Sequence, residues 1–379
     1  MHTLDKADKH QPPFKADQVG SLLRPAALKQ ARLKLQQGII SKADLRRQED
    51  SEIKTLVEQQ QKAGLKAVTD GELRRSWWHL DFLWGLDGVK RVAAEQGSIA
   101  FHGQSTKAET IEIEGKIDFS SHPFLADFSY LQAIKGDSSV KFTIPSPTML
   151  HLITTVRKED YQPIALYKDN NAALLRDIAA AYKKAIAAFY AAGCRYLQLD
   201  DTSWGELCSA EKRQAYEKRG FDLKQLARDY VALVNASIAD RPADMTISMH
   251  ICRGNFRSTW FSSGGYEPVA ETLFGSCRVD AFFLEYDSER AGDFRPLRHI
   301  KDQQVVLGLI TSKNGELEDK RAIKERIAEA AQYVDINQLC LSPQCGFSST
   351  EEGNLLSEEQ QWAKLRLVAD IAGEVWGRD

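Results

Sequence analysis

The run Thr246-Ile-Ser-Met-His-Ile-Cys-Arg-Gly-Asn255 carries a His-x-Cys pair, His250 and Cys252. On a strand, side chains two residues apart project from one face, so imidazole and thiolate would stand side by side and could hold one divalent metal. Two ligands do not complete a site. The apolar run Val279-Asp-Ala-Phe-Phe-Leu-Glu285 ends in a carboxylate, and Leu339-Cys-Leu-Ser-Pro-Gln-Cys345 breaks at Pro343 and offers a thiol just beyond. His250, Cys252, Glu285 and Cys345 together supply one nitrogen, one oxygen and two sulfurs, a tetrahedral donor set that suits Zn2+. The carboxylate is the most easily displaced of the four, which predicts a catalytic site that admits a substrate thiol rather than a closed structural knot. Zinc lowers the pKa of a bound thiol, so a thiol acceptor is the natural substrate.

These residues need a scaffold that brings distant segments together. Strand-like runs at 16–19, 67–69, 140–144, 196–200, 246–251, 281–285, 305–309 and 338–341 alternate with helical segments, among them 172–191, 222–239, 319–331 and 357–375. Eight strands interleaved with helices predict an α/β fold, a closed (β/α)8 TIM barrel, with the whole of 1–379 as one catalytic domain. The pattern breaks over about 86–136. There Ser98-Ile-Ala-Phe-His and Glu109-Thr-Ile-Glu-Ile-Glu-Gly-Lys-Ile alternate polar and apolar residues, which predicts a β-hairpin inserted after the second strand. Asp70, Asp200, His250, Cys252, Glu285 and Cys345 all fall at or just after strand C-terminal ends, where barrel enzymes carry their chemistry.

Composition narrows the class. A chain of 379 residues with a net charge of -3 and interspersed charges gives no electrostatic case for binding nucleic acid or an anionic membrane. The polar start at 1–13 shows neither signal peptide nor anchor, and no later run approaches the roughly 20 apolar residues of a membrane span. Six scattered cysteines are not a disulfide framework, so a cytoplasmic location is expected. Cys194, Cys208, Cys277 and Cys340 read as packing residues. The aromatic cluster Trp77-Trp78-His79 with Phe82 and Trp84 reads as packing at the barrel mouth or as a stacking wall for a methyl donor.

In order along the chain, Val19-Gly20-Ser21, Asp70-Gly71-Glu72, Leu197-Gln-Leu-Asp200-Asp201, His250-x-Cys252, Glu285 and Pro343-Gln-Cys345-Gly346 resemble the cobalamin-independent methionine synthases, specifically their C-terminal catalytic barrel. The resemblance runs from about Phe14 to the C-terminus, with no match over about 86–136. It implies a zinc-dependent methyltransferase that converts homocysteine to methionine. Asp200 and Glu72 are the implied catalytic-site carboxylates that bind the homocysteine amino group, and the loop of Val19 and Ser21 receives its carboxylate. Methyltetrahydrofolate is the implied donor, with a small methyl donor or a methyl-carrier protein as alternatives.

Three departures bear on the donor. The pterin-stacking tryptophan expected after Pro145-Ser-Pro147-Thr-Met-Leu is replaced by His151-Leu-Ile, the histidine expected after strand seven is missing from Gly308-Leu-Ile-Thr-Ser-Lys313, and the N-terminal half of the long enzymes has no counterpart. Two rival functions stand beside this reading: alkyl transfer to another thiol such as coenzyme M, and zinc or thiol binding without turnover. A sulfonate tail would be repelled by Glu72 and Asp200, whereas an ammonium would be attracted.

Overall fold

The computed structural model describes residues 11–93, 100–101, 104–105 and 109–377. Along the chain come α1 (Ala26–Gln36), α2 (Lys42–Lys62), β1 (Ala67–Val68), α3 (Leu80–Leu83), β2 (Asp87–Ala93), β3 (Ala100–Phe101), β4 (Gln104–Ser105), β5 (Glu109–Asp118) and α4 (Phe124–Ile134). β6 (Ser139–Pro145), α5 (Thr148–His151), α6 (Asn171–Ala191), β7 (Tyr196–Asp201), α7 (Ser203–Cys208), α8 (Ala210–Lys218) and α9 (Leu223–Ile238) follow. The last part holds β8 (Thr246–Ile251), α10 (Glu267–Ser276), β9 (Ala281–Glu285), β10 (Gln304–Ile310), α11 (Lys320–Ala330), β11 (Leu339–Pro343) and α12 (Glu358–Trp376).

Seven strands form one curled sheet in the order β1-β6-β7-β8-β9-β10-β11, with every neighbouring pair parallel. This is a mixed α/β architecture of the TIM-barrel kind. The segment expected as the first strand makes only one parallel bridge, Ala16 with Leu341, rather than a ladder. Its backbone leaves the pairing because the Asp17 carboxylate takes the amides of Phe14 and Gln18, and because Gly20, at φ 146°, turns the chain away. The segment nevertheless spans the two edges of the sheet. On one side Asp17 N and Lys15 O pair with Leu341, and on the other Leu22 N donates to Gly71 O.

Period-two alternation sorts the strand residues into two cores. Leu197, Leu199, Phe282, Leu284, Leu307 and Leu341 face the helices in the large cluster, whereas Tyr196, Phe283, Val306 and Cys340 join Phe14, Val19 and Ala67 in a small cluster inside the curl. Among the inner residues Lys141 is fully buried, and its ammonium is matched by Asp17 at 3.2 Å. The helices begin where side chains can cap them: Asn170, Asp222, Asp319 and Ser357 each accept an amide of the first turn of α6, α9, α11 and α12.

The insertion differs from expectation in its pairing. β5 takes β2 as its antiparallel partner, from Val89 opposite Ile113 to Ala93 opposite Glu109, and α4 packs back on the sheet as an ordinary helix of the fold. Of the strand expected at Ser98-Ile-Ala-Phe-His, only Ala100 and Phe101 are described, paired with Ser105 and Gln104; Ser98, Ile99 and His102 lie outside the described residues. Among the described residues no helix is long and apolar enough to cross a membrane.

Candidate metal centre and substrate cleft

Parallel register assembles the site. Asp200 of β7 stands directly beside His250 of β8, and one step further Ile251 pairs with Leu284, so Cys252 and Glu285 emerge at the next level. Pro343 ends β11, and the chain turns to present Cys345. The donor atoms of His250, Cys252, Glu285 and Cys345 all lie within 4.8 Å of one another, and all four residues are buried. The two sulfurs are 3.7 Å apart. Glu285 is oriented from its own backbone outward: its amide donates to Tyr266 Oη (2.9 Å), its Oε1 accepts from Arg253 N (2.8 Å), and its Oε2 faces Arg290 at 3.3 Å.

The chemistry of this quartet fits a metal ion. Both ring nitrogens of His250 lack a hydrogen-bond partner although the residue is buried, an arrangement that is costly unless a ligand satisfies one of them. The hydrogen bond from Cys252, with His250 and Lys313 close by, holds Cys345 well below the ordinary thiol range despite burial. Burial, followed by the Cys345 sulfur, pushes Glu285 up. All four groups are displaced from solution behaviour, His250, Cys252 and Glu285 upward and Cys345 downward, in a site that a divalent cation would neutralise.

A narrow cleft opens on the quartet, lined by Val19, Ser21, Glu72, Trp78, Asp200, His250, Cys252, Cys345, Gly346 and Ser349. Every residue named from sequence for metal or substrate therefore reaches one cavity or, for Glu285, the cluster beneath it. Glu72 arrives by a strained turn. The Asp70 carboxylate accepts Glu72 N (2.9 Å), Thr69 Oγ1 accepts Gly71 N (3.1 Å), and both Gly71 (φ 62°) and Glu72 (φ 58°) adopt left-handed backbone. A Cβ at position 71 would lie 2.5 Å from Leu56 Cδ2, so glycine is required there on two grounds. Glu72 itself has no such freedom, and its strained backbone aims the carboxylate into the cleft.

One oxygen of Glu72 is held by Thr143 Oγ1 (2.7 Å) and faces Arg75 at 3.5 Å, while Oε2 is buried without a partner. Asp200 is steadied by Gln198 Nε2 (2.7 Å), which also donates to Val19 O (2.6 Å) and so ties the carboxylate to the loop at 19–21. Burial raises Asp200 to about 7, offset by His250 and reinforced by repulsion from Glu72; burial likewise raises Glu72. Two carboxylates buried in one cleft, with Glu72 raising Asp200, favour a cation between them. Ser21 is locked against the loop beyond Cys345, since its Oγ accepts Ser348 N (3.3 Å) and its carbonyl accepts Phe347 N (2.9 Å).

Three further residues shape the site without a signal in spacing. Arg290 pairs with Glu285, Ser349 lines the cleft 4.0 Å from the Cys345 sulfur, and Lys313 Nζ reaches Gly254 O and Asn255 Oδ1, both at 3.3 Å. Lys313 occupies the segment where the resemblance expects a histidine, and it braces the loop after Cys252. His151, at the expected tryptophan position, faces away into the helical layer, where it meets Tyr230 Oη (3.2 Å) and Asn171 Oδ1 (2.8 Å). Cys194, Cys208, Cys277 and Cys340 are free and buried, and none of them belongs to the four-donor cluster.

Residues 14–373 match the model of the cobalamin-independent synthase catalytic domain. The uncharacterized protein YxjH of Bacillus subtilis is 54% identical over 366 residues, covering 96% of this chain and 95% of that one. A crystal structure from Listeria monocytogenes, 48% identical, superposes with a TM-score of 0.77 over 97% of this chain and 99% of its own. The methionine synthase of Saccharolobus solfataricus is 22% identical over 360 residues, 92% of this chain and 90% of that protein. The chain belongs to the cobalamin-independent synthase family, whose catalytic domain spans nearly all of it, and shares that family's methyltransferase kind of function.

Proposed function

We propose that this protein is a zinc-dependent methyltransferase that moves a methyl group to the thiol of homocysteine and so forms methionine. The observation that carries the reading is one small cleft with a four-donor N/O/S2 cluster at one side and a pair of buried carboxylates, one with an unpartnered oxygen, at the other. Homocysteine has a thiol and an ammonium separated by a short carbon chain, and those are the two groups such a cleft would bind.

His250, Cys252 and Cys345 would hold the zinc ion, with Glu285 as the fourth, yielding ligand. The chemistry supplied by the bound ion is ionisation of the acceptor thiol at neutral pH. Arg290, 3.3 Å from Glu285 Oε2, would keep that carboxylate partnered beside the ion. Glu72 and Asp200 clamp the ammonium, while Ser21 Oγ and the backbone from Val19 to Ser21 take the carboxylate. Held at both ends, the acceptor sulfur is fixed in line with the methyl carbon, which converts a bimolecular encounter into a positioned one.

We read the segment at 16–19 as the eighth stave of a closed (β/α)8 barrel and the chain as one catalytic domain, working in the cytoplasm, where its six buried thiols stay reduced. Its substrates are homocysteine and a methyl donor, either a small molecule or a methyl-carrier protein. Coenzyme M fits less well, because its sulfonate would meet Glu72 and Asp200. Zinc-loaded protein offered the two thiols with a panel of methyl donors should form methionine and leave coenzyme M unmethylated; the reverse preference would replace this reading.

A further inference from the structure

The loop at 19–21, which takes the acceptor's carboxylate in the reading above, belongs to a segment that no strand ladder holds. Donors from four different parts of the sheet hold it instead, one for each successive carbonyl from residue 18 to residue 21. Lys141 Nζ of β6 donates to Gln18 O, Gln198 Nε2 of β7 to Val19 O (2.6 Å), Thr69 Oγ1 after β1 to Gly20 O (2.7 Å), and Phe347 N beyond β11 to Ser21 O (2.9 Å). With these carbonyls committed to the scaffold, the amides of Val19, Gly20 and Ser21 take no hydrogen-bond partner among the described residues. Successive unengaged amides are donors suited to an anion.

Lys141 is the unusual member of the set. Its neighbours inside the curl, Tyr196, Phe283, Val306 and Cys340, are apolar or aromatic, so an apolar side chain at 141 would fill the space without the cost of burying an ammonium. The ammonium lies 3.8 Å from the Phe283 ring centroid and 5.0 Å from that of Tyr196, and its hydrogen bonds go to Asp17 Oδ1 (3.2 Å) and Gln18 O. Asp17 is fully engaged in return. Its Oδ1 also accepts Gln18 N (2.7 Å), and its Oδ2 accepts from Tyr196 Oη (2.9 Å) and Phe14 N (3.2 Å). Neither charged side chain has any exposed surface.

The pair lies immediately before the loop and acts on nothing else in the cleft. Asp200 belongs to the strand β7, and Glu72 is set by the turn that Asp70 closes and by Thr143. Loosening the segment at 17–21 would therefore displace the three amides and leave the ammonium clamp and the metal quartet in place. A buried ion pair adds little stability over a well-packed apolar filling, but its two charges cannot separate without each losing its partner.

We propose that Lys141, acting through Asp17 and Gln18, is a positioning residue that keeps the amides of Val19, Gly20 and Ser21 aimed at the acceptor's carboxylate. This rests on the cleft's being the homocysteine site. The test is calorimetric titration of zinc-loaded full-length protein with L-homocysteine and with 3-aminopropanethiol, which keeps the thiol and the amine but has no carboxylate. The parent should bind homocysteine tighter by roughly tenfold or more. Lys141→Met combined with Asp17→Asn removes both charges together, so neither is left buried and unpaired. That double variant should retain its zinc and its affinity for 3-aminopropanethiol while the preference for homocysteine falls below about threefold. Tyr196→Phe removes one hydrogen bond from Asp17 and keeps the ring, so it should narrow the preference in the same direction, by about twofold or more; it decides alone if the double variant does not fold. An unchanged preference overturns the proposal, and so does an equal loss for both ligands, which is what general damage to the fold would give. A parent that does not prefer homocysteine removes the acceptor reading itself, whereas a parent that does, with variants that match it, removes only this inference.

Discussion

Two members of the quartet, Glu285 and Cys252, are constrained by protein groups. Glu285 has its oxygens divided between Arg253 N and Arg290, and the Cys252 sulfur accepts Gly254 N at 3.3 Å, so the pocket is shaped before any ion enters. Removing one thiolate leaves too few strong donors. Cys252→Ser and Cys345→Ser are each expected to lose bound zinc and activity together, measured by elemental analysis after dialysis and by methionine formation; full zinc occupancy in Cys345→Ser would remove that residue from the set. The carboxylate pair should behave differently. Glu72→Gln and Asp200→Asn are expected to retain zinc but weaken homocysteine binding by about 1.5–3 kcal/mol each, as a charged hydrogen bond is lost. Titration calorimetry reads the difference, and unchanged affinity in both variants would return the coenzyme M reading to favour. The quartet was legible in the sequence because a His-x-Cys pair on a strand has one geometric meaning and the other two ligands sit at strand ends. Arg290, Lys313 and Ser349 were not, because they approach from loops whose paths depend on the folded chain. Nor was the strained turn of Glu72, since nothing in Asp70-Gly71-Glu72 marks which residue besides glycine takes a positive φ.

At the scale of elements, the runs of β-branched and apolar residues located all seven sheet strands and the register then did the rest, placing Asp200 beside His250. The insertion was harder to read. The alternation at 98–102 suggests a partner for β5, whereas β5 pairs with β2, and the described Ala100 and Phe101 pair with Ser105 and Gln104. Helix α4, which follows the insertion, is anchored by a buried imidazole. His122 Nδ1 accepts Phe124 N (3.1 Å), Nε2 meets Phe82 O (3.0 Å), and burial lowers its pKa to about 4. The neutral ring is the folded form. Because the folded value lies below the unfolded one of about 6.5, the stability it confers is complete above pH 6.5 and is lost as pH falls toward 4, by roughly 2–3 kcal/mol. Urea unfolding at pH 7.5 and pH 5 should show this loss in the parent and a smaller one in His122→Asn; identical pH dependence would assign the acid sensitivity elsewhere.

Across the whole molecule, a curled parallel sheet directs the ends of β7, β8, β9 and the turn after β11 to one mouth, and the antiparallel β2–β5 pair adds Glu109 to its rim. The alternation of strands and helices made the fold class readable from the sequence. The number of ladder strands was less so, because the stretch at 16–19 has strand-like composition but spends its backbone amides on Asp17. The central claim is that zinc sits in the quartet and takes the substrate sulfur as a ligand. X-ray absorption at the zinc edge tests it most directly. The account predicts two sulfurs at about 2.3 Å with nitrogen and oxygen neighbours in the resting protein, and three sulfurs with one fewer oxygen when L-homocysteine is added. A sulfur count that stays at two under saturating homocysteine would contradict it.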